Sequence, residues 1–383
     1  MNKAEIKSLT GIRGVAAVYV IIFHWYNHLF HTQPVVSFTP MGQIGHNFIK
    51  HGYLAVDLFF SLSAFVLCIA SYKLFSEKPT FENYKMFIIK RFFRLFPVYI
   101  VLTFLYSLWF DKSSLTNLLI NLTLFQGIIP SHSGSIVPPG WSLTNEWVIC
   151  FVFPFFLYYA VKFRKNAWML VVMAVAIIIL ISFVRAHALN WSNSAVLDKV
   201  KGFNPNIGYT RGPSSFGRTI ASFFLGIFAF LVYKFKDHQG PYFKYLGYLS
   251  APILVLLFVK SADVAVVLLM PILILYVTQA NFLNRFLSSK PVHFAGAISY
   301  SLYLSHFFFI NTYDSVAALL KIDSRLFSLS YVLIATFVFS TITYYCIEKP
   351  GIALFKPKPK HKTATNIDLL SEQNKAPAGL KTS

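Results

Sequence analysis

The chain has 383 residues, of which 56% are hydrophobic, 18% aromatic and only 13% charged. Soluble proteins spend about a quarter of their residues on charge, so this composition excludes an ordinary soluble enzyme and points to a polytopic membrane protein. The formal net charge of +20 does not mark a nucleic-acid binder. The cations fall between apolar runs, where they orient helices and meet anionic lipid headgroups.

A membrane-crossing helix needs roughly 20 mostly apolar residues. Ten such stretches follow one another at 8–30, 52–74, 95–110, 141–161, 167–184, 216–233, 244–260, 263–280, 293–315 and 327–347. The expected fold class is therefore all-α, a membrane protein of about ten transmembrane helices. Runs such as 169–184 (MLVVMAVAIIILISFV) do not alternate apolar and polar residues, as membrane β-strands do. Segment 115–125 is too short to span and reads as an interfacial helix. Most of the 34 Lys and Arg residues fall on one set of connecting segments, with a dense block at Lys73, Lys78, Lys85, Lys90, Arg91 and Arg94. That asymmetry places both termini in the cytoplasm. The outer segments 31–51 and 185–215 are long and polar enough to shape an entrance.

Residues 1–350 form the membrane domain, and 351–383, opening on a basic stretch (KPKPKHK at 356–362), read as a disordered cytoplasmic tail. Internal repeats of the transporter kind are not apparent. Nor is a cleavable signal peptide, because the first apolar run carries Arg13. Cys68, Cys150 and Cys346 lie inside apolar segments and suggest neither a disulfide framework nor a thiolate metal site.

Ionisable groups inside the spans carry the functional signal, since each costs a few kcal/mol near the bilayer centre and turns toward the protein interior. Arg13 and His24 are eleven residues apart on the first span, about 16 Å along a helix. Counting down from the outer surface, Asp57 and Glu146 come to a depth similar to that of His24. His306, counted up from His293, arrives about 20 Å higher, at the same level. Two histidines and two carboxylates on one layer form a candidate acid–base site. Each also has a structural reading: a histidine bonded to a neighbouring helix, a carboxylate paired with Arg or His, a glutamate tying a helix end. On the inner side Arg91 and Arg94 share a helical face and suit phosphate, although basic residues at an inner boundary also mark topology. Pro97 just beyond them marks a helix start or a kink. His24, His28 and His31 lack a neighbouring carboxylate in sequence, so no metal is expected. Cys150, in apolar surroundings, is read as packing rather than as a nucleophile.

At these residues the chain resembles the acyltransferase-3 family of membrane O-acyltransferases. Arg13 and His24 match its R-x(10)-H signature. GYLAVDLFFSLSAF at 52–65 resembles its G-x-x-x-VD-x-FF-x-x-SGF segment, with Ala64 in place of the usual Gly. RFFR at 91–94, WSLTNE at 141–146, ISYSLYLSH at 298–306 and IEKP at 347–350 match further elements in order. The resemblance implies an acyl-CoA donor, usually acetyl-CoA, and a hydroxyl acceptor on a surface or lipid-linked glycan. It implies residence in a bacterial inner (plasma) membrane among its lipids. Carried onto this chain, His24 is the leading general base, assisted by Glu146 within a catalytic group that includes Asp57 and His306. Arg13, Arg91 and Arg94 are expected to bind the donor, and Trp141, Ser142 and Tyr303 the acceptor. Some relatives append an extracytoplasmic hydrolase-like domain, which is not expected here. Direct transfer and a transient acyl-histidine remain open, since an imidazole serves either as base or as nucleophile. The rival reading is a proton-coupled transporter or flippase using the same polar groups.

Overall fold

The structure is a computed structural model that describes residues 6–31, 42–77, 79–110, 114–129, 135–183, 207–208, 210–236, 245–322 and 324–353. The described residues are helical, with no strand among them. In chain order they form α1 (Lys7–His31), α2 (Gly42–Lys50), a 3-10 turn (His51–Leu54), α3 (Ala55–Phe75), α4 (Phe81–Trp109) and α5 (Leu115–Leu122). There follow α6 (Gly140–Lys162), α7 (Trp168–Phe183), α8 (Gly212–Phe235), α9 (Leu246–Leu256), α10 (Asp263–Thr278), α11 (Phe282–Leu287) and α12 (Lys290–Ala297). The chain closes with α13 (Ser299–Leu320), α14 (Arg325–Thr343), a π-helical turn (Tyr344–Glu348) and α15 (Lys349–Ala353).

Among the described residues six helical stretches are long and apolar enough to cross a membrane: Lys7–Leu29, Gly42–Phe75, Phe81–Trp109, Gly140–Lys162, Gly212–Phe235 and Arg325–Ala353. The chain is thus an integral membrane protein of helical type. α7, α9, α10 and α13 lie where the remaining sequence-predicted spans fall. Residues 42–50 extend the second stretch beyond its expected start, because α2 and α3 are joined by a helical turn rather than a loop. The tail from 354 and most of the 185–215 segment lie outside the described residues.

Two expectations change. The third span was expected at 95–110, with Pro97 marking a helix start or kink. Instead α4 is one helix of 29 residues with Pro97 inside it. Its first half, 81–94, is too polar for a hydropathy reading, but Thr80 accepts from the Asn83 amide (3.3 Å) and caps the helix there. Conversely, the expected 293–315 span divides at Ile298 into α12 and α13. The division serves close packing. A Cβ at Gly296 would lie 1.9 Å from Thr10 O, and one at Gly11 would lie 1.9 Å from Leu287 O. Only glycine lets α1 approach the α11–α12 backbone this closely.

The centre of the bundle is the seam between α3 and α8. Asp57, Ser61 and Ala64 on α3 face Arg218, Ser222 and Gly226 on α8. Arg218 donates from Nε to Asp57 Oδ1 (2.9 Å) and from Nη2 to Asp57 Oδ2 (2.5 Å). Ser222 donates to Asp57 Oδ1 (3.2 Å), and Ser61 donates to Ser222 O (2.9 Å). One turn on, a Cβ at Gly226 would meet Ala64 Cβ at 2.8 Å. The methyl of Ala64, which departs from the Gly of the resembled segment, is therefore accommodated by a glycine on the opposite helix. α7 covers the outside of α8 and turns Met169, Val172, Ile179 and Leu180 outward, as a lipid-facing helix does.

The Arg218 and Asp57 side chains are 1% and 0% exposed. Removing one partner of such a pair strands the other charge and costs about 3–5 kcal/mol, whereas an apolar pair of similar volume is close to neutral. Arg218→Ala is expected to lower the unfolding temperature in detergent sharply. The Arg218→Met/Asp57→Leu double variant should recover most of the loss, a comparison read by tryptophan-fluorescence melting.

Candidate active site

A large cavity, about 880 Å³, is walled by α1, α2, the loop before α6, α8, the turn before α10, and α13. His24 lines it from α1, and its ring centroid lies 4.4 Å from that of Phe307 and 5.2 Å from that of His306. No hydrogen bond to the His24 ring is found among the described residues, so the imidazole faces the cavity open to a ligand. His306 stands behind it, fully buried. Its Nδ1 donates to Tyr303 O (2.7 Å), because a carbonyl can only accept, and Nε2 has no hydrogen-bond partner. His24 lines the cavity and His306 does not.

Trp141 and Tyr303 line the cavity floor. Ser142, beneath them, donates to Pro139 O (2.9 Å), which leaves Tyr303 to donate to the Ser142 hydroxyl (2.9 Å). Of the three expected acceptor residues, two face the large cavity. Ser142 is on a crevice below, where it holds the Tyr303 ring in place.

Two small spaces of about 50 Å³ each continue downward from this floor. The first shares Val56 and Tyr303 with the large cavity, and both small spaces share Arg13, Ser63, Glu146 and Tyr300. Arg91 and Arg94 border the lower one. Ser63 donates to Glu146 Oε1 at 2.5 Å.

This arrangement corrects the expectation that Glu146 shares a layer with His24. Pro138, Pro139 and Trp141, at the start of α6, line the large cavity with His24, but Glu146 does not. Five residues beyond Trp141 is about 7.5 Å along the helix, and Glu146 arrives in the small spaces that Arg13 also lines. Asp57 is also not available as an acid or base, since both its oxygens are taken by Arg218 and Ser222. Its structural reading, an ion-pair partner, describes its place.

The three arginines differ as well. Arg94 donates from Nη1 to Glu348 Oε1 (2.6 Å), while Ser301 donates to the other Glu348 oxygen (3.3 Å). Glu348 is in the π-helical turn with its side chain 1% exposed, so Arg94 is tied to the end of the chain's last long helix. Arg13 and Arg91 have no carboxylate within ion-pair distance among the described residues, which leaves them as the cations able to take a phosphate. His28, one turn beyond His24, is directed to Asp314 (3.6 Å). Cys150 is fully buried.

Sequence reasoning missed a second polar network on the cavity wall. Asp263 accepts from the Tyr53 hydroxyl and from the Ile207 amide (3.1 Å), and its other oxygen lies 3.3 Å from His51 Nε2. His51 Nδ1 meets Asn47 O and Leu257 O, both at 2.8 Å. The Arg218 guanidinium sits over the rings of Tyr53 (5.7 Å) and Trp141 (5.6 Å) and donates to Tyr53 O (3.0 Å). One signal was available: Arg218 lies within an apolar span, where an unpaired cation is unstable.

Residues 6–346 match the acyltransferase-3 family, described as an acyltransferase domain. The peptidoglycan O-acetyltransferase OatA of Listeria monocytogenes serovar 1/2a is 22% identical over 389 residues, covering 91% of this chain and 56% of that protein. The chain thus spans little more than half the length of that relative. A protein of Rhizobium radiobacter named protein 2 in picA locus is 31% identical over 167 residues, 37% of this chain and 76% of its own length. No solved structure matches. Since the family match takes in all the described helices as far as the π-helical turn, the chain belongs to the acyltransferase-3 family.

Proposed function

We propose that this protein is a membrane O-acyltransferase that moves an acyl group, acetyl in the first instance, from acyl-CoA to a hydroxyl of an extracytoplasmic or lipid-linked glycan. The reading rests above all on one observation: the open imidazole of His24 faces a large cavity whose floor leads through a narrow crevice to Arg13 and Arg91. A relative named as a peptidoglycan O-acetyltransferase favours acetyl as the group and a saccharide as the acceptor. Ten crossings with both termini cytoplasmic, in a bacterial inner membrane, put the arginines on the donor's side. The distribution of Lys and Arg supports that orientation.

In the reaction the acceptor oxygen attacks the thioester carbonyl while His24 takes the hydroxyl proton. The tetrahedral intermediate collapses, the C–S bond breaks, and the proton passes from the imidazolium to the leaving thiolate. An imidazole suits both transfers because its ordinary pKa of about 6.5 is near working pH. His306, stacked obliquely behind, holds the orientation of the His24 ring. Arg13 and Arg91 bind the donor's phosphates from below. Glu146, hydrogen-bonded to Ser63, lines the crevice together with Arg13 and apart from the His24 cavity. The crevice is narrow, so the nucleotide stays at the arginines and only the donor's thin arm rises past Tyr300 and Tyr303.

His24→Ala is expected to reduce transfer by about 10²–10⁴-fold, the usual span for removal of a general base, with normal membrane insertion. Purified protein given labelled acyl-CoA and acceptor reads this directly, and near-normal turnover would remove His24 from the mechanism. Arg91→Ala is expected to raise the donor KM about tenfold, equivalent to about 1.4 kcal/mol, and to leave the acceptor KM unchanged. Arg94→Gln should instead act on folding, lowering the unfolding temperature together with expression. A pure donor-binding defect in that variant would contradict its tie to Glu348.

A further inference from the structure

The walls of the large cavity carry a charge imbalance that the transfer chemistry does not require. Four ionisable side chains other than histidine and tyrosine line it: Lys50, Lys260, Arg218 and Asp263. Arg218 is committed to Asp57 through two hydrogen bonds. The Asp263 oxygens are engaged by Tyr53, Ile207 and His51. Lys50 and Lys260 remain, and neither has a carboxylate within 4.0 Å among the described residues. The Lys50 ammonium donates to Asn27 Oδ1 (2.5 Å), a neutral acceptor, and an ammonium has three donors.

The two lysines are held in place rather than scattered. Lys50 ends α2 and Lys260 stands in the turn before α10. These segments are joined by the Asn47 Nδ2 to Phe258 O bond (3.1 Å), by His51 to Leu257 O (2.8 Å), and by the stacked rings of Phe48 and Phe258 (4.9 Å). The same clamp that organises the Asp263 network thus brings both lysines to one wall of the cavity, whose other charged side chains, Arg218 and Asp263, are already paired.

From this arrangement we infer that the acceptor is an acidic saccharide, one that carries a carboxylate or phosphate near the hydroxyl to be acylated, and that Lys50 and Lys260 hold that anion while His24 meets the hydroxyl. The inference rests on the cavity being the acceptor's place. It adds that the selectivity is for charge. A neutral glycan would leave two cations facing one cavity uncompensated, whereas an anion on the sugar pairs with them and fixes which hydroxyl turns toward His24.

The test is saccharide binding measured by calorimetry, without turnover, on the full chain in zwitterionic phosphatidylcholine nanodiscs. The probes are cellohexaose, its C6-oxidised form bearing carboxylates, and cellohexaose 6-phosphate. Either acidic form is expected to bind at least about tenfold tighter than the neutral one, with the gap narrowing as salt shortens the screening length. The stronger acidic probe identifies the anion. Lys50→Gln/Lys260→Gln should erase the gap while leaving neutral binding and the melting temperature unchanged, and Lys50→Arg/Lys260→Arg should keep it. Equal binding of all three probes would overturn the inference, as would a gap that survives in the double Gln variant. A gap that vanishes when phosphatidylglycerol replaces the neutral lipid would also overturn it, by showing that the lysines hold a headgroup. Acyl-CoA consumption, followed separately, judges the transferase reading itself: acidic-saccharide binding without thioester use would refute the reaction and leave the binding site standing.

Discussion

The Arg218–Asp57 pair is the interaction on which the rest of the architecture depends. It sits at the seam of two deeply buried spans: two oxygens receive a forked guanidinium and a serine hydroxyl, and a further Nη2 hydrogen goes to the Tyr53 carbonyl. In hydrocarbon an ion pair of this kind is tolerated only with its hydrogen-bonding capacity nearly spent. The pair also works sideways. Its guanidinium plane supports the Tyr53 and Trp141 rings, so one buried charge pair shapes the wall of the large cavity from behind.

Polar groups in this bundle are separated by role through depth. The histidines stand at the cavity, the serine–tyrosine pair Ser142–Tyr303 forms the floor, and Glu146 lies below with the arginines. Glu146 shares its space with Arg13 rather than with His24, and sets one negative charge among the basic side chains there. The cluster is further relieved by Glu348, which takes Arg94 out of the ligand-facing set.

Much of the bundle was legible in the sequence because the signal for a spanning helix is additive over many residues. The helix positions, the deep placement of Arg13 and the cavity-facing His24 followed from hydropathy and spacing. What failed depended on where each helix begins. Counting residues gives depth only from a known origin, and the length of α6 between Trp141 and Glu146 carries Glu146 out of the cavity of His24 into the spaces lined by Arg13. The polar first half of α4 hid its true start in the same way. Partner choice was the other blind spot. Arg94 with Glu348 spans 254 positions and Asp57 with Arg218 spans 161, and one sequence carries no record of such pairings.

The glycine contacts beneath α1 have a mechanical consequence. With Gly11 and Gly296 pressing backbone on backbone, the helix that carries His24 is seated like a stator, with no side-chain layer to cushion a sliding movement. α2 is bound to that helix as well, because Tyr19 donates to Phe48 O, Tyr26 pairs with His46 Nδ1 (2.8 Å) and Lys50 donates to Asn27 Oδ1 (2.5 Å). His24 and the α2 wall of the cavity therefore shift as one piece or not at all.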